Sequence, residues 1–179
     1  MLGDIAEILL TNEQINKKVA ELGRQISDDY KDKNLLLVGI LKGSVVFMSD
    51  LMKQITIPAR IDFMSVSSYG AGVKSTGVVK IVKDLDIPLA NYDVLIVEDI
   101  LDSGLTLNYI IGILKSRNPS SVKICTLLDK PYSRRVDVKT DYHGFDIPDK
   151  FVVGYGLDFA EKYRNLPFVG VLKPEVYEK

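Results

Sequence analysis

Cysteine and histidine are almost missing from this chain: Cys125 and His143 are the only ones among 179 residues. A single thiol cannot close an internal disulfide, and Cys125, inside the apolar run 122–128, reads as a small buried hydrophobe. The lack of disulfides fits a cytoplasmic protein. One histidine rules out multi-histidine metal sites, and His143 reads as a structural or surface residue. Long apolar runs are also lacking: none nears the ~18 residues that a membrane-spanning helix needs. No basic leader followed by an apolar run opens the chain, so no signal peptide is expected. An excess of one charge is missing too; a formal net charge of −1 gives no reason to expect a nucleic-acid or membrane surface. Repeats and low-complexity tracts do not occur.

What is present is hydrophobic: 46% of the residues, enough for one substantial core and too many for a disordered chain. Thr11 stands three residues before Gln14, the spacing of a capping box. Ile15, Val19, Leu22 and Ile26 then recur at helical spacing, which predicts an amphipathic helix over 12–30. Residues 35–40 read as a buried strand, 45–54 as a helix, and 59–67 and 77–83 as extended segments with a glycine-containing stretch, 68–76, between them. Further extended runs are predicted at 122–128, 151–155 and 168–172, with a short helix over 158–163. Strands alternating with helices imply crossover connections and a mainly parallel sheet, an α/β fold.

The most telling stretch is Val94-Leu95-Ile96-Val97-Glu98-Asp99-Ile100-Leu101-Asp102-Ser103-Gly104-Leu105-Thr106. Four apolar residues run into two adjacent carboxylates, then a third carboxylate, a small hydroxyl-and-glycine turn, and a helical pattern over 107–114. This is a buried parallel strand, a loop at its carboxyl end and a helix, and open α/β sheets bind ligands in that crevice. Ser103, Gly104, Leu105 and Thr106 can aim backbone N–H groups and hydroxyls at an anion, helped by the helix amino terminus. Glu98 and Asp99 are hard oxygen donors for a sugar or a magnesium ion. A phosphate cradle beside paired carboxylates suits a phosphorylated sugar. Asp102 could also serve as an N-cap.

That segment resembles the phosphoribosyl-pyrophosphate (PRPP) motif of the type I phosphoribosyltransferases. Leu41-Lys42-Gly43, Ser67-Ser68-Tyr69, Leu127-Leu128-Asp129-Lys130 and Ile147 to Tyr155, with Asp158 and Arg164, are similar to the other landmarks of its hypoxanthine-guanine subfamily, collinear over about 35–172. The resemblance implies a mainly parallel twisted sheet flanked by helices, core about 33–142, with a small hood from about 1–32 and 143–179 over its carboxyl edge. It implies transfer of the phosphoribosyl group from PRPP to N9 of a 6-oxopurine. Asp102 would be the general acid/base; Glu98 and Asp99 would hold the ribose and, with Asp158, Mg2+. Residues 102–106 would cradle the 5′-phosphate, and Lys42, Gly43, Ser68, Tyr69 and Arg164 the pyrophosphate. Lys130, Phe151, Val152 and Asp158 would bind the purine: lysine donates but cannot accept, and so selects a 6-oxo oxygen, while Phe151 offers a face for stacking. Many family members carry threonine and lysine where this chain has Ser103 and Leu105; the hydroxyl and the backbone donors survive. The family often has a cis peptide at the position of Leu41-Lys42, and its members are homodimers or homotetramers.

Other readings are weaker. The strand ending in Glu98-Asp99 looks like half of a P-loop ATPase, but no Gly-x-x-x-x-Gly-Lys-Ser/Thr occurs. Gly70-Ala71-Gly72 starts like a dinucleotide fingerprint without its third glycine. A nucleotide-binding transcription regulator on the same fold would normally carry a basic surface. Xanthine, orotate and adenine phosphoribosyltransferases are the enzyme rivals.

Overall fold

Burial along β2 (Leu35–Leu41) sets the architecture. Leu35 and Leu37 face one layer, Leu36, Val38 and Ile40 the other, and all are nearly inaccessible. A strand covered on both faces has no need of polar alternation, which explains its unbroken apolar run. In this computed structural model residues 1–68 and 79–178 are described. Tyr69, expected at the pyrophosphate, and the rest of the glycine-containing stretch up to residue 78 lie outside them.

β2 pairs in parallel with β3 (Ala59–Ser68) on one side and β5 (Asp93–Leu101) on the other. Next to β5 come β6 (Ser121–Asp129) and β7 (Tyr142–Asp146), both parallel. β4 (Val79–Lys83) closes the far edge antiparallel to β3. The spatial order is β4-β3-β2-β5-β6-β7, and chain direction across the sheet reverses between β2 and β5. The loops leaving those two strands therefore part around a crevice, the position where open α/β sheets take ligands.

One face is covered by α1 (Asn12–Asp29) and α2 (Val45–Gln54), the other by α3 (Leu105–Lys115). The capping box forms as expected: Gln14 N donates to Thr11 Oγ1 at 3.3 Å, and Thr11 N to Gln14 Oε1 at 2.8 Å. Ile15, Val19, Leu22 and Ile26 are all buried, each worth roughly 1.5–3 kcal/mol of transfer free energy. They pack on α2 and the main sheet, so α1, expected in the hood, is a layer of the core. Likewise β7 carries the main sheet past residue 143, where the hood was expected to resume.

A second, three-stranded sheet joins β1 (Ile5–Leu10), β9 (Val169–Leu172) and β8 (Val152–Val153), all antiparallel. The chain ends in a short helix, α4 (Pro174–Tyr177). Ile5, Val153, Phe159, Tyr163, Leu166, Phe168 and Leu172 form a small core there. The helix expected over 158–163 is absent. Ala160, Glu161 and Tyr163 have φ of 51°, 61° and 76°, left-handed conformations that stop helical hydrogen bonding from propagating. Asp158 Oδ2 instead accepts from Glu161 N at 2.9 Å, closing a side-chain turn.

Candidate active site

β5 delivers Glu98 and Asp99 to the crevice on its last residues, and the loop 102–104 follows. Gly104 precedes α3 with φ 79°, the left-handed region that favours glycine. It, and not Asp102, is the N-cap residue, so Asp102 is free of that role. No side chain caps α3, although Leu105 N reaches Ser103 Oγ at 3.4 Å. An uncapped helix start leaves donors for an anion. Glu98, Asp102, Ser103, Gly104 and Thr106 line a cavity of about 170 Å3 at this point, together with Ile100, Leu101 and Leu107.

The two carboxylates on β5 are under electrostatic stress. Burial, and then the neighbouring Asp99, push the Glu98 carboxyl well above its ordinary range. Burial likewise pushes Asp99 up to about 6, against hydrogen bonds from backbone N–H groups and the opposing fields of Arg164, which lowers it, and Asp158, which raises it. Glu98 Oε2 is buried without a hydrogen-bond partner. Buried carboxylate oxygens are ordinarily satisfied, so this pair is built to receive donors or a cation. A magnesium ion, which needs only one or two carboxylates beside substrate phosphates and water, fits that donor set.

Across the crevice β2 ends in a cis peptide, Leu41–Lys42, followed by Gly43. A Cβ on Gly43 would stand 1.8 Å from Asp99 Oδ2, and one on Gly156 2.1 Å from the Gly43 carbonyl oxygen. The loop after β2, the strand-end acid and the hood are thus in direct contact. Arg164 Nη1 donates to the Gly156 carbonyl at 2.8 Å, and its Nη2 pairs with Asp158 Oδ1 at 2.8 Å. Lys42 Nζ pairs with Glu161 Oε2 at 3.2 Å, and the same carboxylate lies 3.5 Å from Arg164 Nη2. Arg164 Nε is buried and unpartnered.

On the β6 side Lys130 is buried, with Nζ 3.6 Å from Asp149 Oδ1. Phe151 stacks on Tyr177 at 4.8 Å between ring centres and meets Phe159 edge-on at 5.6 Å. It is 38% exposed, a large aromatic surface for solvent to hold. Val152 is buried in β8, paired with Val171. Ser68 ends β3 in register with Val79. Among the described residues no three histidine, cysteine or acidic side chains converge as a preformed metal cluster. Sequence reading gave no site role to Glu161 or Arg134, and none to Asp129 beyond its place in the 127–130 motif: their contacts run across turns, for which no motif spacing exists.

The family model for the phosphoribosyl transferase domain matches residues 6–160. The chain belongs to that family. It is 54% identical over 178 residues to the hypoxanthine-guanine phosphoribosyltransferase of Bacillus subtilis, with 99% of each chain covered. It is 56% identical over 177 residues to the enzyme of the same name from Staphylococcus aureus, again with 99% of each covered. A crystal structure of a Staphylococcus aureus hypoxanthine phosphoribosyltransferase superposes with a TM-score of 0.98 at 55% identity, covering 100% of this chain and 97% of that one. The regulator reading finds no support among these phosphoribosyltransferase relatives. Nor is any helix among the described residues long and apolar enough to cross a membrane.

Proposed function

We propose that this phosphoribosyltransferase salvages 6-oxopurines, transferring the 5-phosphoribosyl group of PRPP to N9 of hypoxanthine or guanine to give IMP or GMP and pyrophosphate. The carrying observation is the Glu98-Asp99 pair, with Glu98 Oε2 buried and unpartnered, set between the uncapped start of α3 and the loop holding Lys42 and Gly43. An anion cradle, a ribose-and-metal site and a cationic exit lie side by side there.

In this reading the N–H groups and hydroxyls of Ser103, Gly104, Leu105 and Thr106 hold the 5′-phosphate. Glu98 and Asp99 accept from the ribose hydroxyls. Together with Asp158 they would also hold Mg2+, which supplies charge neutralisation to pyrophosphate. As the C1′–O bond to pyrophosphate breaks and the N9–C1′ bond forms, the purine loses one proton, and Asp102 takes it. Lys42, Gly43 and Arg164, with Ser68 and Tyr69, receive the departing pyrophosphate. Lys130 donates to O6; Phe151 stacks on the ring and Val152 offers backbone groups to its edge. The chain works as one domain, the small sheet serving as its hood, in the cytoplasm and as a homodimer or homotetramer.

The test is incubation with PRPP, Mg2+ and each of hypoxanthine, guanine, xanthine and adenine, with nucleotide products separated by chromatography. IMP and GMP formation without AMP supports the reading. Turnover of adenine alone, or of none of the bases, overturns it.

A further inference from the structure

Three successive carbonyls, from the last residue of β5 and the first two of the loop after it, accept hydrogen bonds from one short segment after β6. Lys130 N donates to the Leu101 carbonyl at 2.9 Å, Arg134 Nη1 to the Asp102 carbonyl at 2.9 Å, and Arg135 N to the Ser103 carbonyl at 2.9 Å. In a trans peptide the C=O of one residue and the N–H of the next point to opposite sides. Turning these carbonyls toward segment 130–135 therefore turns the N–H groups of Asp102, Ser103 and Gly104 away from it. The cavity is lined from residues 98–107, with no lining residue from 130–135, so it lies on that other side.

Two of the three ties are backbone to backbone and tolerate any side chain. The middle one depends on Arg134. Its guanidinium also pairs with the Asp129 carboxylate, and both side chains are more than four-fifths buried. Its stem continues under the loop: a Cβ on Gly104 would meet Arg134 Cδ at 3.4 Å. The planar fork thus spans a carboxylate at the end of β6 and a main-chain carbonyl in the phosphate loop, two acceptors that its separate NH2 groups reach in a fixed geometry and that the point-like ammonium of a lysine would hold less firmly together.

Resting on the function proposed above, we infer that Arg134 is a positioning residue that sets the Asp102–Ser103 peptide so that the Ser103 N–H faces the 5′-phosphate. It touches neither the sugar nor the base. It acts through one peptide plane, with Asp129 holding its other arm. The same segment begins with Lys130, so purine recognition and phosphate recognition share one anchored strand end.

The test compares two ligands that use different parts of the site. IMP has a 5′-phosphate and needs the loop; pyrophosphate is held by the loop after β2 and by Arg164. Calorimetry on wild type must first give IMP binding, and its absence overturns the function reading itself rather than the role of Arg134. With wild-type binding in hand, Arg134→Ala weakens IMP about ten-fold, the scale for losing a charge-assisted hydrogen bond, while pyrophosphate inhibition against PRPP moves less than about two-fold. Ethylguanidinium added to that variant restores part of the IMP affinity. Arg134→Lys, which keeps the Asp129 pair and the fold, weakens IMP about three-fold, again without moving pyrophosphate. Unchanged IMP affinity in Arg134→Lys, or equal loss of IMP and pyrophosphate in either variant, overturns the inference.

Discussion

Gly43 and Asp99 compete for one small volume: a Cβ at position 43 would stand 1.8 Å from Asp99 Oδ2. The obstruction falls on the free end of a side chain, not on backbone, so the fold can yield by swinging the carboxylate aside. Asp99 would then leave its hydrogen bond from Ile100 N, 2.9 Å long, and lose its place beside Glu98. Gly43→Ala is therefore expected to cut kcat/KM at least about ten-fold, since misplacing a site group by an ångström is that costly. Its Tm should stay within a few degrees of wild type. Steady-state kinetics beside a thermal melt check this, and wild-type kcat/KM in the variant would contradict it.

Asp99 also gives the ligand-free protein a particular pH dependence. Its carboxyl is pushed up to about 6 in the folded state, against roughly 3.9 when unfolded. The folded state therefore binds the proton more tightly, and Asp99's contribution to stability is full below about pH 4 and lost as pH rises to about 6. Glu98 shifts in the same direction. Asp99→Asn removes this titration. Without divalent cation, the variant should gain on wild type by a few degrees in Tm between pH 4.5 and 7, for a change on the order of 1 kcal/mol. Parallel wild-type and variant curves would show that Asp99 carries no such burden.

The β5–α3 segment was legible because local chemistry and long-range packing agree there: an apolar run needs burial on both faces, and its acids have nowhere to go but the crevice. The capping box of α1 was legible from the Thr11 to Gln14 spacing, whereas the reversal between β2 and β5 was not, since no local pattern records which strands pair. β1 and β7 were not foreseen. Ile5–Leu10 and Tyr142–Asp146 are short edge strands whose pairing partners lie 159–167 residues away for β1 and on β6 for β7. The 158–163 helix failed because Ala160, Glu161 and Tyr163 look helical by composition, yet tertiary contacts hold them at positive φ. Tyr163 OH, for one, donates to Asp4 Oδ2 at 3.0 Å across the hood.

That irregular turn places Glu161 where its carboxylate meets both Lys42 and Arg164, at 3.2 and 3.5 Å. These are the two cations proposed for pyrophosphate, so an anion arriving there must displace Glu161. The Lys42 and Glu161 side chains are both about two-thirds exposed, and exposed pairs are weak, typically under about 1 kcal/mol. Glu161→Gln should accordingly lower the KM for pyrophosphate in the reverse reaction by about two- to five-fold. The effect should shrink at high salt, which screens exposed charges. A raised KM would show that Glu161 helps to hold the anion instead.

Asp102 sits in the cavity lining, and with Gly104 as the N-cap it has no capping duty. Its side chain is thus available for proton transfer, and loss of a general base typically costs 10²–10⁴ in rate. Asp102→Asn keeps the shape and the main-chain tie to Arg134. It should lower kcat by about two orders of magnitude while KM for PRPP changes only a few-fold. Equal wild-type and variant turnover at saturating substrates would remove Asp102 from the chemistry.

Lys130 is the remaining selectivity element. It is buried, its N–H tied to the Leu101 carbonyl, and its ammonium has Asp149 at 3.6 Å, longer than a hydrogen bond. The ammonium can therefore turn to a ligand oxygen without breaking a tight pair. Since it only donates, a 6-oxo group satisfies it and a 6-amino group leaves two donors facing each other. A site that hydrogen-bonds one substituent rejects the analogue lacking it chiefly because its own buried group is left unpaired. Lys130→Ala removes that unpaired group, so its expected effect is asymmetric. The kcat/KM for hypoxanthine should fall by about 10²-fold while that for adenine falls far less, eroding the preference. Parallel assays with both bases measure the ratio directly. Unchanged discrimination would mean that the purine edge is read elsewhere, by the backbone around Val152.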